Sequence, residues 1–341
     1  MKKVIHLPFN LASQIGVIND ALKRDMIESS SAFKSGESSE YVPDFELSGI
    51  KFVSILKRLS CFFRSVGHYD IYFHHTGGTL LSHYLGHLDA RINVKLGKKC
   101  VPIFHGSELR RPSLEFKMNP FYEVTYNEND SKVKKTLQFW SALSNDAIVC
   151  DASFLDYGLN EYFENVHYIP IAIDLSKYKE ATKVKILSNT KRKIVHLPTN
   201  PQFKGTKYVR EAIKGLKSNG VEFDYLELTG ISHAQAKNEL MNADLVIDQM
   251  MVGAYGVLAI EAMSLRKPVV AYIKPSNLKH YPIELPIINC TPDTLKDTLS
   301  NWLSADSEKY DKQGDASRHY VEKYHASNVI SRKYKTLLNS L

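Results

Sequence analysis

Long apolar runs and closely spaced cysteines are both absent from this sequence of 341 residues. No uncharged apolar stretch reaches about 18 residues, the length that a transmembrane helix needs. The N-terminus runs straight into a strand-like segment without a cleavable-signal pattern, so we expect a cytoplasmic protein. Four scattered cysteines fit no paired metal or redox motif and indicate no cofactor, and we predict packing roles for them. They are Cys61, Cys100, Cys150 and Cys290.

Signals for nucleic-acid binding are also lacking. The sequence has no zinc-finger spacing, no aromatic RNA-recognition motif and no basic tail. Its formal net charge of +7 suits anionic partners such as a nucleotide diphosphate or phospholipid headgroups, and charge alone does not choose between them. We therefore expect no nucleic-acid partner.

The length and a hydrophobic content of 43% indicate a globular protein with two domains. Short apolar runs alternate with helical patterns, which predicts an α/β fold with parallel sheets. The predicted strands are residues 4–7, 71–74, 101–105, 147–150, 168–171, 194–197, 224–228, 245–247 and 269–273.

A lysine-rich segment at residues 175–193 is predicted to connect the two domains. The predicted domains are residues 1–175 and 176–320, and residues 321–341 form a final helical segment. Two Rossmann-like halves around a central cleft would follow, with ligands at the carboxyl ends of the strands. The Ser- and Glu-rich residues 29–40 are predicted to form a mobile loop.

Residues 244–270 are the most informative part of the chain, because they read as strand, glycine-rich turn, helix and strand. Gly253 and Gly256 free the backbone at the turn, and the N–H groups at the following helix start attract phosphate. Glu261 lies about one and a half turns into that helix, near enough to the strand ends to accept hydrogen bonds from ribose hydroxyls. This pattern predicts a nucleotide site.

The same segment resembles the donor-binding motif of GT-B glycosyltransferases, in particular the retaining enzymes of glycosyltransferase family 4. That motif has two glutamates separated by seven residues, then Ala-Met and a Gly-Lys-Pro-Val turn. Glu261 matches the second glutamate, whereas Gly253 stands in place of the first and Arg266 in place of the turn glycine. The carboxylate that the family places near the donor sugar is therefore missing.

Two alternatives are open for the lost contact. Asp248 or Gln249, at the end of the strand, would supply it, or Asp248 caps the turn by binding loop amides. Tyr255, beside Gly256, is also expected at the donor site.

A polar turn after the strand at residues 194–197 resembles the Lys-Gly element of family 4 donor domains. Lys204 is placed to reach a diphosphate, and Gly205 allows close approach of the backbone. Thr199 and Asn200 are the nearby polar side chains that would hold phosphate or sugar. Alternatively, Lys204 is a solvated residue at a helix start.

A third turn, at Gly230, resembles the segment that flanks the nucleotide base in these folds. Ser232 is the predicted N-cap of the helix that follows. His233 then either faces the base or simply occupies the first helical turn.

The first half carries a His-Gly-Ser-Glu-Leu-Arg segment that resembles a His-Gly-Ser/Thr-Asp-x-Arg segment of family 4-like enzymes. His105 is expected to hydrogen-bond the donor sugar or to orient an acceptor hydroxyl. Arg110 and Arg111 are suited to a phosphate or an acidic sugar. Alternatively, Glu108 pairs with an arginine at a helix start.

Adjacent histidines, His74 and His75, would point to opposite sides of a strand, so we predict no metal site there. The turn at residues 8–16 and the loop after residue 75 are assigned to the acceptor side. The expected acceptor-side residues are Gly16, Thr76, Gly77, Gly78, Glu108 and Arg110.

A basic amphipathic helix is predicted near residues 52–63. Such a helix either lies on an anionic membrane or packs its apolar face on the sheet, and the second alternative is favoured because a strand follows directly. Its apolar residues are Phe52, Val53, Ile55, Leu56, Leu59, Phe62 and Phe63.

The resemblance implies a hexosyl-type glycosyltransferase of EC class 2.4 that uses a nucleotide-diphosphate sugar and retains the anomeric configuration. It also implies that the final helical segment, residues 321–341, crosses back to the N-terminal domain. His105, Lys204 and Glu261 are the expected catalytic residues, and neither a metal nor a further cofactor is expected. The acceptor would be a saccharide or a lipid-linked saccharide in the synthesis of a surface polysaccharide such as lipopolysaccharide, with peripheral contact at the inner face of the membrane. The alternatives are a catalytically silent scaffold subunit and a nucleotide-sugar epimerase.

Overall fold

The computed structural model describes residues 2–36, 40–123, 129–178 and 191–341. The chain divides into two compact units. Unit 1 comprises Met1–Pro112, Asn127–Ile173 and Ser327–Leu341, and unit 2 comprises Ser113–Tyr126 and Asp174–Ala326. The sequence-based division assigned residues 113–126 to the first domain, whereas here they group with unit 2. Most of the expected connection at residues 175–193 lies outside the described residues.

Twelve strands are present in the described part of the chain, and all of their pairings are parallel. They are β1 (Val4–Leu7), β2 (Ser29–Phe33), β3 (Phe45–Glu46), β4 (Ile71–His75), β5 (Lys99–Phe104), β6 (Asp146–Val149), β7 (Asn165–Tyr168), β8 (Lys193–His196), β9 (Asp224–Glu227), β10 (Leu245–Ile247), β11 (Val269–Ala271) and β12 (Ile288–Asn289).

The α-helices alternate with these strands. They are α1 (Gln14–Arg24), α2 (Lys51–Ser65), α3 (Ser82–Leu85), α4 (Leu88–Lys95), α5 (Pro112–Met118), α6 (Asp130–Ser141), α7 (Pro201–Lys204), α8 (Thr206–Ser218), α9 (His233–Met241), α10 (Val257–Ser264), α11 (Pro275–Leu278), α12 (Leu295–Leu303), α13 (Ser307–Tyr324) and α14 (Ser327–Ser340).

Each unit has its own parallel sheet and its own hydrophobic core. The sheet of unit 1 has the order β3-β2-β1-β4-β5-β6-β7, and that of unit 2 has the order β12-β11-β10-β8-β9. The chain direction across the sheet reverses at β1/β4 in unit 1 and at β8/β10 in unit 2. Ligands of doubly wound α/β folds bind beyond the carboxyl ends of the strands at such reversal points. The predicted α/β fold with two parallel sheets is confirmed.

The prediction of a mobile loop over residues 29–40 is wrong for its first part, which forms β2. The Ser-rich sequence hid a strand because its buried hydroxyls have polar partners. Ser29 Oγ donates to Asn19 Oδ1 at 2.7 Å, and Ser31 Oγ donates to Asp44 Oδ2 at 3.0 Å. These bonds allow small polar side chains to be buried in a sheet. Residues 37–39 of the predicted loop lie outside the described residues.

Other strand boundaries moved by a few residues. The strand expected at residues 168–171 is β7, which ends at Tyr168, and the two-residue strands β3 and β12 had no sequence signal. The four cysteines are buried and free, as expected for packing residues. Across the described residues, no helix is both long and apolar enough to cross a membrane.

The final helix, α14, groups with unit 1 and packs on α1. Polar contacts between the two helices support this packing: Arg24 donates to Ser327 Oγ at 3.1 Å, and Ser331 Oγ donates to Asp25 Oδ2 at 2.6 Å. The chain therefore returns to unit 1 after unit 2 is complete.

A buried ion pair joins residues 113–123 to the rest of unit 2. Lys274 Nζ lies 2.8 Å from Glu115 Oε1, and the two side chains are only 1% and 2% exposed. Nearby, Asn119 Nδ2 donates to the carbonyl oxygen of Met251 at 2.8 Å. These contacts explain why this segment belongs to unit 2.

We expect Glu115→Ala to lower the free energy of unfolding of unit 2 by about 3–5 kcal/mol, because it leaves the Lys274 ammonium buried without its carboxylate. Urea unfolding followed by the fluorescence of Trp302 in a Trp140→Phe background measures this. Glu284→Gln is the control, since it breaks the solvent-exposed pair with Lys323 and should change little. An equally small effect of both substitutions would contradict the anchoring role.

Candidate functional site

Three predicted donor-site groups meet at the reversal point of the unit 2 sheet. Because β8 and β10 are adjacent and parallel, the turns that follow them lie side by side. Lys204 Nζ donates to Asp248 Oδ1 at 2.7 Å and to Gln249 Oε1 at 3.0 Å. Lys204 is buried at the end of α7, so it is not the solvated residue at a helix start that the sequence left open.

The Asp248 carboxylate links this lysine to the start of α10. Its Oδ2 accepts the backbone N–H of Gly256, the N-cap residue of α10, at 2.5 Å. Asp248 is fully buried. Of the two alternatives, the structure shows that Asp248 binds a loop amide, and it also neutralises Lys204. The Asp248 carboxylate thus accepts hydrogen bonds from both groups that the sequence assigns to phosphate binding, the Lys204 ammonium and the N–H at the start of α10.

Gly205 and Gly256 hold the backbone close to this cluster. Gly205 has φ +69°, and an added Cβ would lie 3.2 Å from the carbonyl carbon of Met250. An added Cβ at Gly256 would lie 2.8 Å from Lys204 Nζ. A side chain at Gly205 would press on the backbone at Met250, and one at Gly256 would displace the Lys204 ammonium.

The side chain of Lys274 fills the place of the glutamate that the family has at position 253. Gly253 has φ +78°, and an added Cβ would lie 2.9 Å from both Cβ and Cγ of Lys274. The Gly253 carbonyl accepts the backbone N–H of Lys274 at 3.0 Å and Asn277 Nδ2 at 2.7 Å. A glutamate at this position would need a different path of the turn.

Glu261 is held by two side chains from other parts of unit 2. Its Oε1 accepts hydrogen bonds from the Tyr178 hydroxyl at 3.0 Å and from His233 Nε2 at 2.8 Å. Its Oε2 makes no hydrogen bond with any residue that the structure describes. His233 thus contacts Glu261, the residue predicted to bind ribose. The contact of Tyr178 with Glu261 was not predicted from the sequence.

The other predicted donor-site residues of unit 2 have local roles. Thr199 and Asn200 are exposed, and Asn200 caps α7 by accepting the Phe203 N–H at 3.2 Å. Gly230 has φ +68° in an open turn. Tyr255 is buried, and its hydroxyl bonds Tyr320 at 3.2 Å and His325 at 3.0 Å.

Ser232 confirms one local prediction for unit 2. Its hydroxyl accepts the Gln235 N–H at 3.2 Å, and the Gln235 side chain accepts the N–H of Ser232 in return. This capping box fixes the start of α9, where His233 is the first residue.

Unit 1 contains a row of three hydrogen-bonded histidines at its own reversal point. His6 Nδ1 lies 3.0 Å from His75 Nε2, and His75 Nδ1 lies 3.0 Å from His105 Nε2. His6 is on β1, His75 ends β4, and His105 follows β5. All three rings are buried at the carboxyl ends of neighbouring strands.

Burial keeps these rings neutral. It lowers the pKa of His6 to about 3 and that of His105 to about 4, because the charged ring loses its hydration. The pKa of His75 lies well below its usual range for the same reason, helped by the neighbouring histidines. The sequence-based expectation that His105 titrates near neutrality if unperturbed does not apply to this buried ring.

The polar segment after His105 is fixed by Glu108. Its carboxylate accepts the backbone N–H groups of His105 and Gly106, and burial raises its pKa. Arg111 donates to the carbonyl oxygen of Tyr157 at 2.6 Å, and the Arg110 guanidinium is buried 5.9 Å from the ring centre of Phe154. Glu108 thus caps the turn that carries His105.

The two adjacent histidines face different surroundings, in agreement with the strand geometry. His74 Nδ1 lies 3.1 Å from the Gly78 carbonyl oxygen, and its ring packs on Trp140, away from His6 and His105. Trp140 Nε1 donates to the Gly77 carbonyl at 2.9 Å. Thr76 has φ +55° at the first position of this tightly packed loop.

Gly16 was assigned to an acceptor-side turn over residues 8–16, and this interpretation is wrong in its geometry. Residues from Gln14 onward belong to α1, and an added Cβ at Gly16 would lie 2.3 Å from the Tyr41 ring. Gly16 is buried and lets that ring pack against the helix.

The predicted amphipathic helix is present as α2, but most of its apolar residues do not pack on the sheet. Phe52 is 67% exposed, Leu56 49% and Phe63 72%, and the preceding Ile50 is 76% exposed. The buried side of α2 contains Arg58, Cys61, Phe62 and Ser65. Only this narrow side of α2 is buried, whereas the favoured alternative had the whole apolar face packed on the sheet.

Among the described residues, no group of three or more histidine, cysteine, aspartate or glutamate side chains is arranged to hold a metal ion. In the histidine row, the ring nitrogens bond to each other rather than converge on one point.

We expect the stability of unit 1 to fall as the pH drops from about 6.5 toward about 4. The folded-state pKa values of His6 and His105 lie below the ordinary value, so the unfolded chain binds more protons in this range. Each such histidine lowers the free energy of unfolding by about 1.4 kcal/mol per pH unit. Urea unfolding followed by Trp140 fluorescence in a Trp302→Phe background measures this.

His6→Phe should reduce that pH dependence by the contribution of one histidine, whereas His68→Gln, which removes an exposed histidine, should leave it unchanged. A free energy of unfolding that stays constant between about pH 7 and about pH 5 would contradict neutral burial of the row.

Comparison with solved structures shows the fold of the whole chain. Sucrose-phosphate synthase from Thermosynechococcus elongatus is 12% identical, with TM-score 0.66 and 99% of both chains covered. HepE from Anabaena, solved with UDP and glucose, is 12% identical, with TM-score 0.69 and 100% of both chains covered. A putative UDP-N-acetylglucosamine 2-epimerase from Listeria monocytogenes is 13% identical, with TM-score 0.58, and 100% of this chain and 96% of that chain are covered.

No family model and no curated protein matches the sequence. At these identities the likeness shows the fold alone. The chain has the GT-B fold, with two Rossmann-like units.

Proposed function

We propose that this chain is a glycosyltransferase that takes a sugar from a nucleotide-diphosphate sugar bound by unit 2. The observation that carries the proposal is the setting of Glu261. Tyr178 and His233 hold one carboxylate oxygen, and the other has no partner among the described residues. A carboxylate fixed in this way is suited to accept hydrogen bonds from two ribose hydroxyls. The GT-B fold and the UDP bound by HepE support the same assignment.

The leaving diphosphate is the second part of the proposal. As the bond between the anomeric carbon and the diphosphate oxygen breaks, negative charge grows on the diphosphate. Lys204 and the Gly256 N–H are the donors for that charge. Because both now bond Asp248, the diphosphate has to compete with this carboxylate for them.

The sugar and the acceptor complete the proposal. A hexose is transferred with retention to a hydroxyl of a saccharide or lipid-linked saccharide during surface polysaccharide synthesis. His105 remains the group expected to position the sugar. No cofactor besides the nucleotide sugar is included.

Calorimetry with UDP, GDP, ADP and CMP tests the donor site. We expect one nucleotide series to bind selectively, and we expect Glu261→Ala to raise its Kd about tenfold to hundredfold by removing hydrogen bonds to a charged group. Glu211→Gln, an exposed acid on α8, is the matched control and should bind like the wild type.

Lys204→Ala is a poor first choice, because it leaves the Asp248 carboxylate buried without its cation and destabilises unit 2. If none of the four nucleotides binds the wild type, the donor-site assignment fails and a silent scaffold subunit becomes the better account. Unchanged binding by Glu261→Ala would refute the ribose role specifically.

A nucleotide-sugar epimerase is the second candidate, supported by the structural likeness to the putative epimerase. The two activities separate in one assay. A transferase consumes the nucleotide sugar only to give free nucleotide and a glycosylated acceptor. An epimerase converts the sugar without an acceptor.

We also propose that α2 contacts an anionic membrane surface, which would bring a lipid-linked acceptor near. Phe52, Leu56 and Phe63 recur at helical spacing and are exposed. Lys51 and Arg64 flank them and are also exposed. A helix with exposed aromatic residues and flanking cations suits the interface of anionic lipids.

Co-sedimentation with vesicles tests this surface. The wild type should bind vesicles that contain phosphatidylglycerol and should be released by salt, whereas Phe52→Ser/Phe63→Ser should bind several-fold more weakly. Val42→Ser removes an equally exposed apolar side chain elsewhere in unit 1 and serves as the control. Equal sedimentation of all three proteins would rule out α2 as the contact.

A further inference from the structure

The histidine row of unit 1 has only two ways to arrange its protons. A neutral imidazole carries one N–H and one lone pair, so each contact in the row needs one donor and one acceptor. Either His6 donates to His75 and His75 donates to His105, or both bonds run the other way. Which nitrogens carry the protons is inferred from the surroundings of His6 Nε2, the ring nitrogen at the end of the row.

The buried end of the row decides between the two arrangements. His6 Nε2 is buried and has no hydrogen-bond partner among the described residues. If the bonds run toward His105, this nitrogen is a bare lone pair; if they run toward His6, it is an N–H without an acceptor. Buried backbone N–H groups without a partner are rarer in proteins than under-satisfied backbone carbonyls, and we apply the same order of preference to this ring. The first arrangement is therefore favoured.

His74 gives an independent example in the same unit. Its Nδ1 faces the Gly78 carbonyl oxygen at 3.1 Å, and a carbonyl only accepts, so the proton of His74 is on Nδ1. Its Nε2 is then a bare lone pair, and this atom is also buried without a partner in the part of the chain that the structure describes. Unit 1 thus already tolerates the arrangement that we assign to His6.

We propose that His6 and His75 are positioning residues that hold His105 in the tautomer with its proton on Nδ1. His105 Nε2 is used by His75, and no residue in the described ranges bonds His105 Nδ1. The ring therefore offers one N–H donor to an oxygen of the ligand. It has no free lone pair with which to act as a general base.

The consequence for the reaction depends on the proposed function. His105 would then donate a hydrogen bond to a hydroxyl oxygen of the transferred sugar and would not remove a proton from the acceptor. The low pKa values of the three rings agree with this, because they keep the row neutral at physiological pH.

Long-range proton–nitrogen NMR of protein labelled with nitrogen-15 in histidine tests the tautomer directly. The His105 signals are identified by their loss in His105→Gln. We expect a protonated Nδ1 and an unprotonated Nε2, the reverse of the form that free neutral histidine favours. A protonated Nε2, or averaging between both forms, overturns the proposal whether or not the protein is an enzyme.

A pair of isosteric variants tests the role of His6. The amide N–H of His6→Asn can still donate to His75 Nε2, whereas the ionised carboxylate of His6→Asp can only accept and should reverse the row. We expect His6→Asp to move the His105 proton to Nε2 and to lower kcat/KM about tenfold or more, with UDP affinity unchanged. His6→Asn should keep the wild-type tautomer and most of the activity.

The outcomes separate this inference from the proposed function. Equal loss of activity in both variants with an unchanged tautomer means that His6 only packs, which overturns the positioning role. The wild-type protein could show the expected His105 tautomer and yet bind no nucleotide sugar. That result would support the proton arrangement of the histidine row and refute the proposed transferase. If His6→Asp does not fold, the wild-type spectrum still decides the tautomer.

Discussion

The proposed donor site of unit 2 depends on the buried carboxylate of Asp248. A buried charge is costly unless it is paired and hydrogen-bonded, and Asp248 meets this requirement with Lys204 on one oxygen and the Gly256 N–H on the other. These two bonds tie the turn after β8 to the start of α10, the helix that carries Glu261. In the proposed function, a nucleotide diphosphate needs these same two donors, so its binding would require Asp248 to release at least one of them.

The two units place chemically different side chains at the equivalent position of their sheets. Each collects polar side chains at the carboxyl ends of parallel strands, where the strand order reverses. Unit 2 fills this place with an ion pair and helix-start amides, which suit an anion. Unit 1 fills it with neutral histidines, which suit a hydroxyl group.

The sequence predicted those features that depend on neighbouring residues. The order of strand, turn and helix around β10 and α10 follows from a short apolar run, two glycines and a helix-forming stretch, and the Ser232 cap follows from one local motif. It could not predict the partners of Glu261, because Tyr178 lies 83 residues away and the contact requires the folded unit. Likewise, His6 and His75 are 69 residues apart and meet only through the pairing of β1 with β4.

Gly253 and strand β2 both have a local physical explanation. Lys274, paired with Glu115, takes the space that a glutamate side chain at position 253 would need. Strand β2 was missed because its serines are buried through hydrogen bonds rather than through apolar contacts. In both cases the contacting residue is not a sequence neighbour, so the hydrophobic pattern along the chain does not predict the contact.

A crystal structure of the protein with bound UDP tests the central claim most directly. The account predicts ribose hydroxyls within hydrogen-bonding distance of Glu261 Oε2 and a diphosphate at Lys204 and the start of α10, with the Asp248 side chain displaced from at least one of its two present donors. UDP bound elsewhere on unit 2, or crystals that remain free of nucleotide at saturating concentration, would contradict it.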